Sequence, residues 1–231
     1  YMNGTGTFYG IYATDLGDGG KYGGSEISGN LVRECSFNDL TYAIYCNAPV
    51  SPSYAATVRQ NVVYNIEGSG SSSTVYGVYL GSNNSGVQFE RNRISVIRTT
   101  GTSATAHGLY GASTSTSAIR NNMIGHIEAP FSGGANRCNG IYISSGTQYD
   151  LAFNTVLLNT TGTGTNFGSN ALYASSTAGL TLRNNILVNL SSSTGSGVTA
   201  AYRRSSTSMT NYHASSGNNL FYAGLAPNAL L

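Results

Sequence analysis

The chain has 231 residues, enough for one domain with a sizeable core. Only 9% of them are charged, against roughly 25% in an average soluble protein, so the surface must rely on Ser, Thr, Asn and Gly. A net charge of +2 excludes a partner held by bulk electrostatics, nucleic acid above all, and no apolar run approaches the roughly 20 residues of a membrane-spanning helix.

In chain order, the first recognisable element is "GIYAT" at residues 10–14, a small residue, an aliphatic one and a tyrosine. A long loop follows, "TDLGDGGKYGG", whose Asp15 and Asp18 are candidate Ca²⁺ ligands, although nothing beyond Glu26 and backbone carbonyls completes a site. "YAIYCN", "YGVYLG", "HGLYGA", "NGIYIS" and "NALYAS" then repeat the opening shape. They give a tyrosine series: Tyr12, Tyr45, Tyr79, Tyr110, Tyr142, Tyr173 and Tyr202, spaced by 33, 34, 31, 32, 31 and 29 residues. A second series follows in phase: Cys35, Asn61, Asn92, Asn122, Asn154, Asn185 and Asn219.

Between these landmarks the residues alternate as strands do. The residue before each tyrosine (Ile11, Ile44, Val78, Leu109, Ile141, Leu172, Ala201) is assigned to the core. So are Val58, Phe89, Ile119, Leu151 and Leu182, three before the asparagines, and Val63, Ile94, Ile124, Val156 and Leu187, two after. A further apolar position five after the asparagine is broken by Asn159. Each repeat therefore predicts three short strands and a Gly/Ser/Thr-rich turn, and one repeat alone cannot bury its apolar side. The predicted fold is all-β: a parallel solenoid of about seven coils of roughly 31 residues, stacked about 4.8 Å apart.

"FERNRISVI", "RNNMIGHI" and "RNNILVNL" resemble the repeat of right-handed parallel β-helices of the pectate-lyase-like superfamily, and the likeness runs from about Gly10 to Tyr222. The resemblance implies that Asn61, Asn92, Asn122, Asn154 and Asn185 line a tight inner turn as a stacked amide ladder, with Asn219 as a further member and Cys35 ending it. The short "GIYxxS" and "RNNI" phrasing is most similar to β-helix regions of large secreted bacterial surface proteins. That superfamily spans lyases, hydrolases and non-catalytic adhesins, so the fold does not supply the activity.

The acids do not assemble into an obvious catalytic set. Glu67, Arg98 and Glu128 form one column, and Arg59, Glu90 and Arg120, extended by Arg33 and Arg183, form another; both read as alternating ion ladders on a sheet face. Asp150 is read as a turn residue. His107, His126 and His213 fall in unrelated repeat positions, which argues against a metal centre or a triad. Cys35, Cys46 and Cys138 fit no zinc spacing and are expected as buried thiols with at most one disulfide. Asn-x-Ser/Thr sequons occur at Asn3, Asn83, Asn159 and Asn189.

The tyrosine column is the strongest lead. With its aliphatic neighbour inside, each tyrosine faces out, and the small residue two before it (Gly10, Ala43, Gly77, Gly108, Gly140, Ala171, Ala200) is expected on the same face. Three readings stay open: rings packed on one another, a face covered by loops or another protomer, or a carbohydrate platform widened by Tyr9, Tyr42 and Tyr76. Residues 1–231 are read as one β-helix domain, a segment of a longer chain or a unit that stacks on copies of itself. The expected role is an extracellular or cell-surface structural or adhesive rod, with polysaccharide or other copies as partners and no cofactor beyond the Ca²⁺ candidate. The alternative is a polysaccharide lyase, a glycoside hydrolase or a carbohydrate-binding module.

Overall fold

The computed structural model describes residues 6–14, 25–47, 56–81, 86–112, 116–224 and 229–230. It is a parallel β-solenoid of about six turns, with about 31 residues per turn and no helix among the described residues. Three parallel sheets run along it.

The first sheet contains β1 (Thr7–Thr14), β4 (Leu40–Asn47), β7 (Thr74–Leu80), β10 (Thr105–Gly111), β13 (Cys138–Ile143), β16 (Ser169–Ala174), β19 (Thr199–Arg204) and β21 (Ala229–Leu230), paired in that order. The second contains β2 (Glu26–Ser28), β5 (Thr57–Arg59), β8 (Gln88–Glu90), β11 (Thr116–Arg120), β14 (Gln148–Ala152) and β17 (Leu180–Arg183). The third contains β3 (Leu31–Phe37), β6 (Val62–Gly68), β9 (Arg93–Thr99), β12 (Met123–Glu128), β15 (Thr155–Leu158), β18 (Ile186–Asn189) and β20 (Leu220–Tyr222). The last repeat has no second-sheet strand: only isolated bridges, Leu180 to Tyr212 and Arg183 to Gly217, stand in its place. This is why seven tyrosine repeats make about six turns.

The bend from second to third sheet is the tightest in each coil. The residue before each ladder asparagine has a left-handed backbone: Gly29, Gln60, Arg91, Asn121, Phe153, Asn184 and Asn218, with φ between 55° and 64°. Six of these seven are not glycine; Asn121, Asn184 and Asn218 tolerate the conformation, while Gln60, Arg91 and Phe153 cost about 1–2 kcal/mol each. The asparagine that follows offsets the cost. Asn61 donates its backbone N–H and its Nδ2 to Asn92 Oδ1, both at 3.0 Å, and Nδ2 also reaches Ile27 O at 2.9 Å. Its own Oδ1 accepts both from Asn30, and its carbonyl accepts the Arg93 N–H at 2.9 Å. Asn92, Asn122, Asn154 and Asn185 repeat the pattern, and Asn219 closes it.

The ladder begins at Asn30, not at Cys35. Cys35 pairs with Ile66 in the third sheet and packs against the core. The first repeat is therefore shifted by five residues from the sequence alignment, which puts Ile27 beside Val58 and Val32 beside Val63.

The exception at Asn159 also has a cause. In four coils the residue four after the ladder asparagine (Glu34, Asn65, Val96, His126) is left-handed, which shifts the alternation so that the fifth position, as in Ile66, Ile97 and Ile127, points inward. The next two coils lack that bend. There Leu158 and Asn189, the fourth position, are buried, while Asn159 and Leu190 face out.

Two measurements test this frame. Asn122→Ala removes the acceptor for Asn92 and the donor to Phe89 O, so urea denaturation should show a loss of about 3 kcal/mol or more; Asn30→Ala, at the ladder's end, should lose about 1. Val96 is β-branched at φ 55°, a disfavoured conformation. Val96→Asn, which copies Asn65 one coil earlier, should raise stability by about 1 kcal/mol in the same assay.

Candidate functional site

The outer face of the first sheet carries the predicted tyrosines. Tyr12, Tyr45, Tyr79, Tyr110, Tyr142 and Tyr173 are in register, and successive ring centroids lie 4.7–5.2 Å apart. A second outward column stands three residues earlier: Tyr9, Tyr42, Tyr76 and His107, stacked at 4.9–5.2 Å. The columns meet edge to face, as in Tyr42–Tyr79 at 5.2 Å and 79° and Tyr76–Tyr110 at 5.3 Å and 79°. The whole is a herringbone. Within a column the planes are near parallel at strand spacing, so each ring face is covered by its neighbour. What looks outward is the edge and the hydroxyl. Burial, then the neighbouring phenols, raises the pKa of Tyr42, Tyr76 and Tyr79.

Two expectations about this face are corrected. The small residues do not share it. Ala43 and Ala171 are fully buried beside Ile44 and Leu172, and a Cβ on Gly108 would lie 2.6 Å from both Gly140 O and Ile124 Cγ2. Two successive residues face inward here, so strict alternation fails and the strip is where first and third sheets touch. Tyr202 is not a member of the column either. It pairs with Leu172 and packs against the core, with Tyr212 and Phe221 beside it, and Arg203 takes the register position after Tyr173. The rung there is 30 residues long, while the tyrosine spacing is 29.

The second column changes character along the rod. After Tyr76 come His107, Asn139 and Asn170, all buried. Asn170 Nδ2 donates to Asn139 Oδ1 at 2.8 Å, and Asn139 Nδ2 stands 3.4 Å from His107 Nδ1. The preceding loop is tied down here. Asn136 O accepts from Asn139 Nδ2 at 2.9 Å, and Asn136 Oδ1 accepts from Arg203 Nη1 at 3.0 Å. Arg137 donates to Thr105 Oγ1 at 3.1 Å. His107, Thr105, Asn136 and Arg137, with Tyr76, Tyr110, Tyr142 and Thr74, border an open cleft of about 340 Å³. Burial, and secondarily Arg137, pushes the His107 pKa down to about 3, so its ring is neutral.

Among the described residues no carboxylate lines that cleft. Of the described acids, all but Asp39, which sits between β3 and β4, lie on the other two sheets. Glu67, Arg98 and Glu128 share a column, with Arg98 Nε 3.8 Å from Glu128. Arg59, Glu90 and Arg120 are also in register, but Arg33 belongs to the third sheet, beside Tyr64. The close ion pairs run diagonally: Arg59 to Glu26 at 2.7 Å and Arg120 to Asp150 at 2.5 Å. Asp150 is not a turn residue; it sits in β14 and also accepts from Arg183 at 2.8 Å. Burial alone would raise its pKa, but the Arg183 and Arg120 hydrogen bonds hold it below the usual aspartate range.

Glu34, Cys35, Asn65 and Glu67 border a cleft of about 310 Å³ on the third sheet. Among the described residues no three His, Cys, Asp or Glu side chains are grouped to hold a metal, and Asp15 and Asp18 lie outside those residues, as do Asn3 and Asn83. No disulfide joins the cysteines; Cys138 Sγ donates to Ile127 O at 2.9 Å, and burial pushes its thiol up to about 12. Asn159 is exposed, whereas Asn189 is buried and donates to Ser169 O and Ala200 O, which closes that sequon to modification.

The cleft residues Asn136 and Arg137, and Asn139, Asn170 and Arg203 of the network behind them, did not stand out in the sequence. Reading three residues before each tyrosine, instead of two, would have exposed the run Tyr9, Tyr42, Tyr76, His107, Asn139, Asn170. The chain matches no protein-family model, no curated protein and no solved structure.

His107 gives a pH signature. Its folded pKa lies below the ordinary value near 6.5, so between about pH 6.5 and 3 the unfolded chain binds a proton that the folded one refuses. Stability is complete above that window and should fall on acidification, by up to about 1.4 kcal/mol per pH unit from this residue. Denaturation at pH 6.5 and 4.5, above the Asp150 range, should show the slope, and His107→Asn should flatten it.

Proposed function

We propose that this protein is a non-catalytic, rod-like structural or adhesive module that works outside the cell. The observation that carries the reading is the herringbone: the faces of the tyrosines inside the columns already lie against other rings, which is how cross-strand pairs stiffen a sheet. A sugar platform needs open ring faces, and a polysaccharide lyase or hydrolase needs acids on the binding face. Among the described residues the cleft lining contains neither. The low charge and the Ser/Thr/Asn/Gly-rich surface suit an extracellular rod that meets a polysaccharide or further copies of the same chain through hydroxyl, amide and guanidinium groups.

The scaffold reading makes a paired prediction. Tyr79 contacts Tyr42, Tyr45, Tyr76 and Tyr110, so Tyr79→Ala should cost about 2–4 kcal/mol, while Tyr12→Ala, at an exposed end of the column, should cost about 1 or less in the same denaturation assay. Incubation with acidic and neutral polysaccharides, with and without Ca²⁺, should release no new chain ends. Reproducible cleavage would refute the non-catalytic assignment.

A further inference from the structure

The cleft bordered by His107, Tyr110, Asn136, Arg137 and Tyr142 carries positive charge with no carboxylate beside it among the described residues. On the other two sheets Arg33, Arg59, Arg98, Arg120 and Arg183 each have a carboxylate within 4.0 Å. Among the described residues Arg137, Arg203 and Arg204 at the first sheet have none, and neither do Arg91 and Arg93; Arg137 is the one held at the rim of this cleft by its bond to Thr105. We propose that the cleft binds an oxyanion: a carboxylate, sulfate or phosphate group carried by a small molecule or a polymer.

Three features favour that ligand. The first is the donor set. A guanidinium has five N–H donors, and the hydrogen bond to Thr105 uses one of Arg137's. The neighbouring phenols add O–H donors, because their ring faces are occupied by other rings and their edges point out.

The second is pre-positioning. The Arg137 carbonyl accepts the Ala106 N–H at 2.8 Å, which fixes its backbone to the sheet. Asn136 beside it is held by Asn139 and Arg203, so little ordering remains to be done when a ligand arrives. Arg203 also lends a second positive charge to the same corner.

The third is exclusion. Among the described residues no carboxylate lines the cleft to repel an anion, and His107 beneath it is neutral and stands 3.4 Å from Asn139 Nδ2. A cation would meet only Arg137 and its partners. A neutral ligand would leave the guanidinium donors without a charged acceptor, and charge-assisted bonds are the stronger ones.

The site goes beyond the scaffold reading, and its failure would leave that reading standing, since the latter is tested by Tyr79. The test is titration of the intact protein at low salt, followed by amide chemical shifts. The probes are glucuronate, glucose 6-phosphate, inorganic sulfate and glucose. The expected result is saturable shifts at Tyr110, Arg137 and Tyr142 with the anions and none with glucose. Which anion binds tightest identifies the source of the charge. Arg137→Ala should weaken binding about tenfold or more, with unchanged thermal stability because the side chain is exposed. Arg137→Lys should retain part of it, having the charge without the fork. Arg33→Ala, on the third sheet, should change nothing. The proposal is overturned if no anion saturates below about 10 mM, if glucose binds as glucuronate does, or if Arg33→Ala weakens binding as much as Arg137→Ala.

Discussion

The rest of the molecule depends on one interaction, the amide ladder at the inner turn. A left-handed residue turns the chain sharply between the second and third sheets, and buried backbone groups at such a turn need partners. The stacked asparagines supply them: each receives two bonds on its oxygen and gives its amide to the neighbouring coils. Because an asparagine can satisfy the coil on either side only in one register, the ladder fixes the phase of every other column. Isoleucines meet isoleucines inside, and tyrosines meet tyrosines outside, because the asparagines are aligned. A slip in a single coil would break both the ladder and the core.

That phase is what gives the outer face its character. A tyrosine placed at strand spacing from another tyrosine packs face to face with it, and the second column three residues earlier closes the herringbone. The rings then serve one another, and the surface they offer is polar at its edge. Where the second column passes from Tyr76 to His107, Asn139 and Asn170, aromatic packing gives way to a buried amide network that anchors a loop and leaves an arginine at its rim. The same sheet therefore carries one continuous tyrosine column and, beside it, a second column that turns from rings to fixed amide and guanidinium donors.

Much of this was legible in the sequence, because a solenoid writes its period into the chain. Asparagines twelve residues after Tyr110, Tyr142 and Tyr173 carried the fold, and the ladder stands at all five asparagines assigned to it. The errors came where one residue of slack enters. Cys35 was aligned with the asparagine series, yet the Gly-Asn pair at 29–30 was the turn. Tyr202 looked like a seventh rung, but the backbone repeat there is one residue longer than the tyrosine spacing. The glycine strip was placed outside by strict alternation, which fails wherever two neighbours both turn inward. The Asp150 bridge and the Arg137 cleft join side chains from different coils, 30 to 33 residues apart, and no single repeat contains their pattern.

The account stands or falls on whether the ladder is the last structure to open. Hydrogen exchange of the Asn92, Asn122 and Asn154 backbone amides and their side-chain Nδ2 groups, read by amide NMR across a denaturant series, measures this directly. If the ladder holds the register, those protons exchange only through global unfolding, with the same free energy as the core strands. Exchange at the rate of the Ser- and Gly-rich turns, while the strands remain protected, would show that the solenoid keeps its phase without the asparagines and would contradict the account.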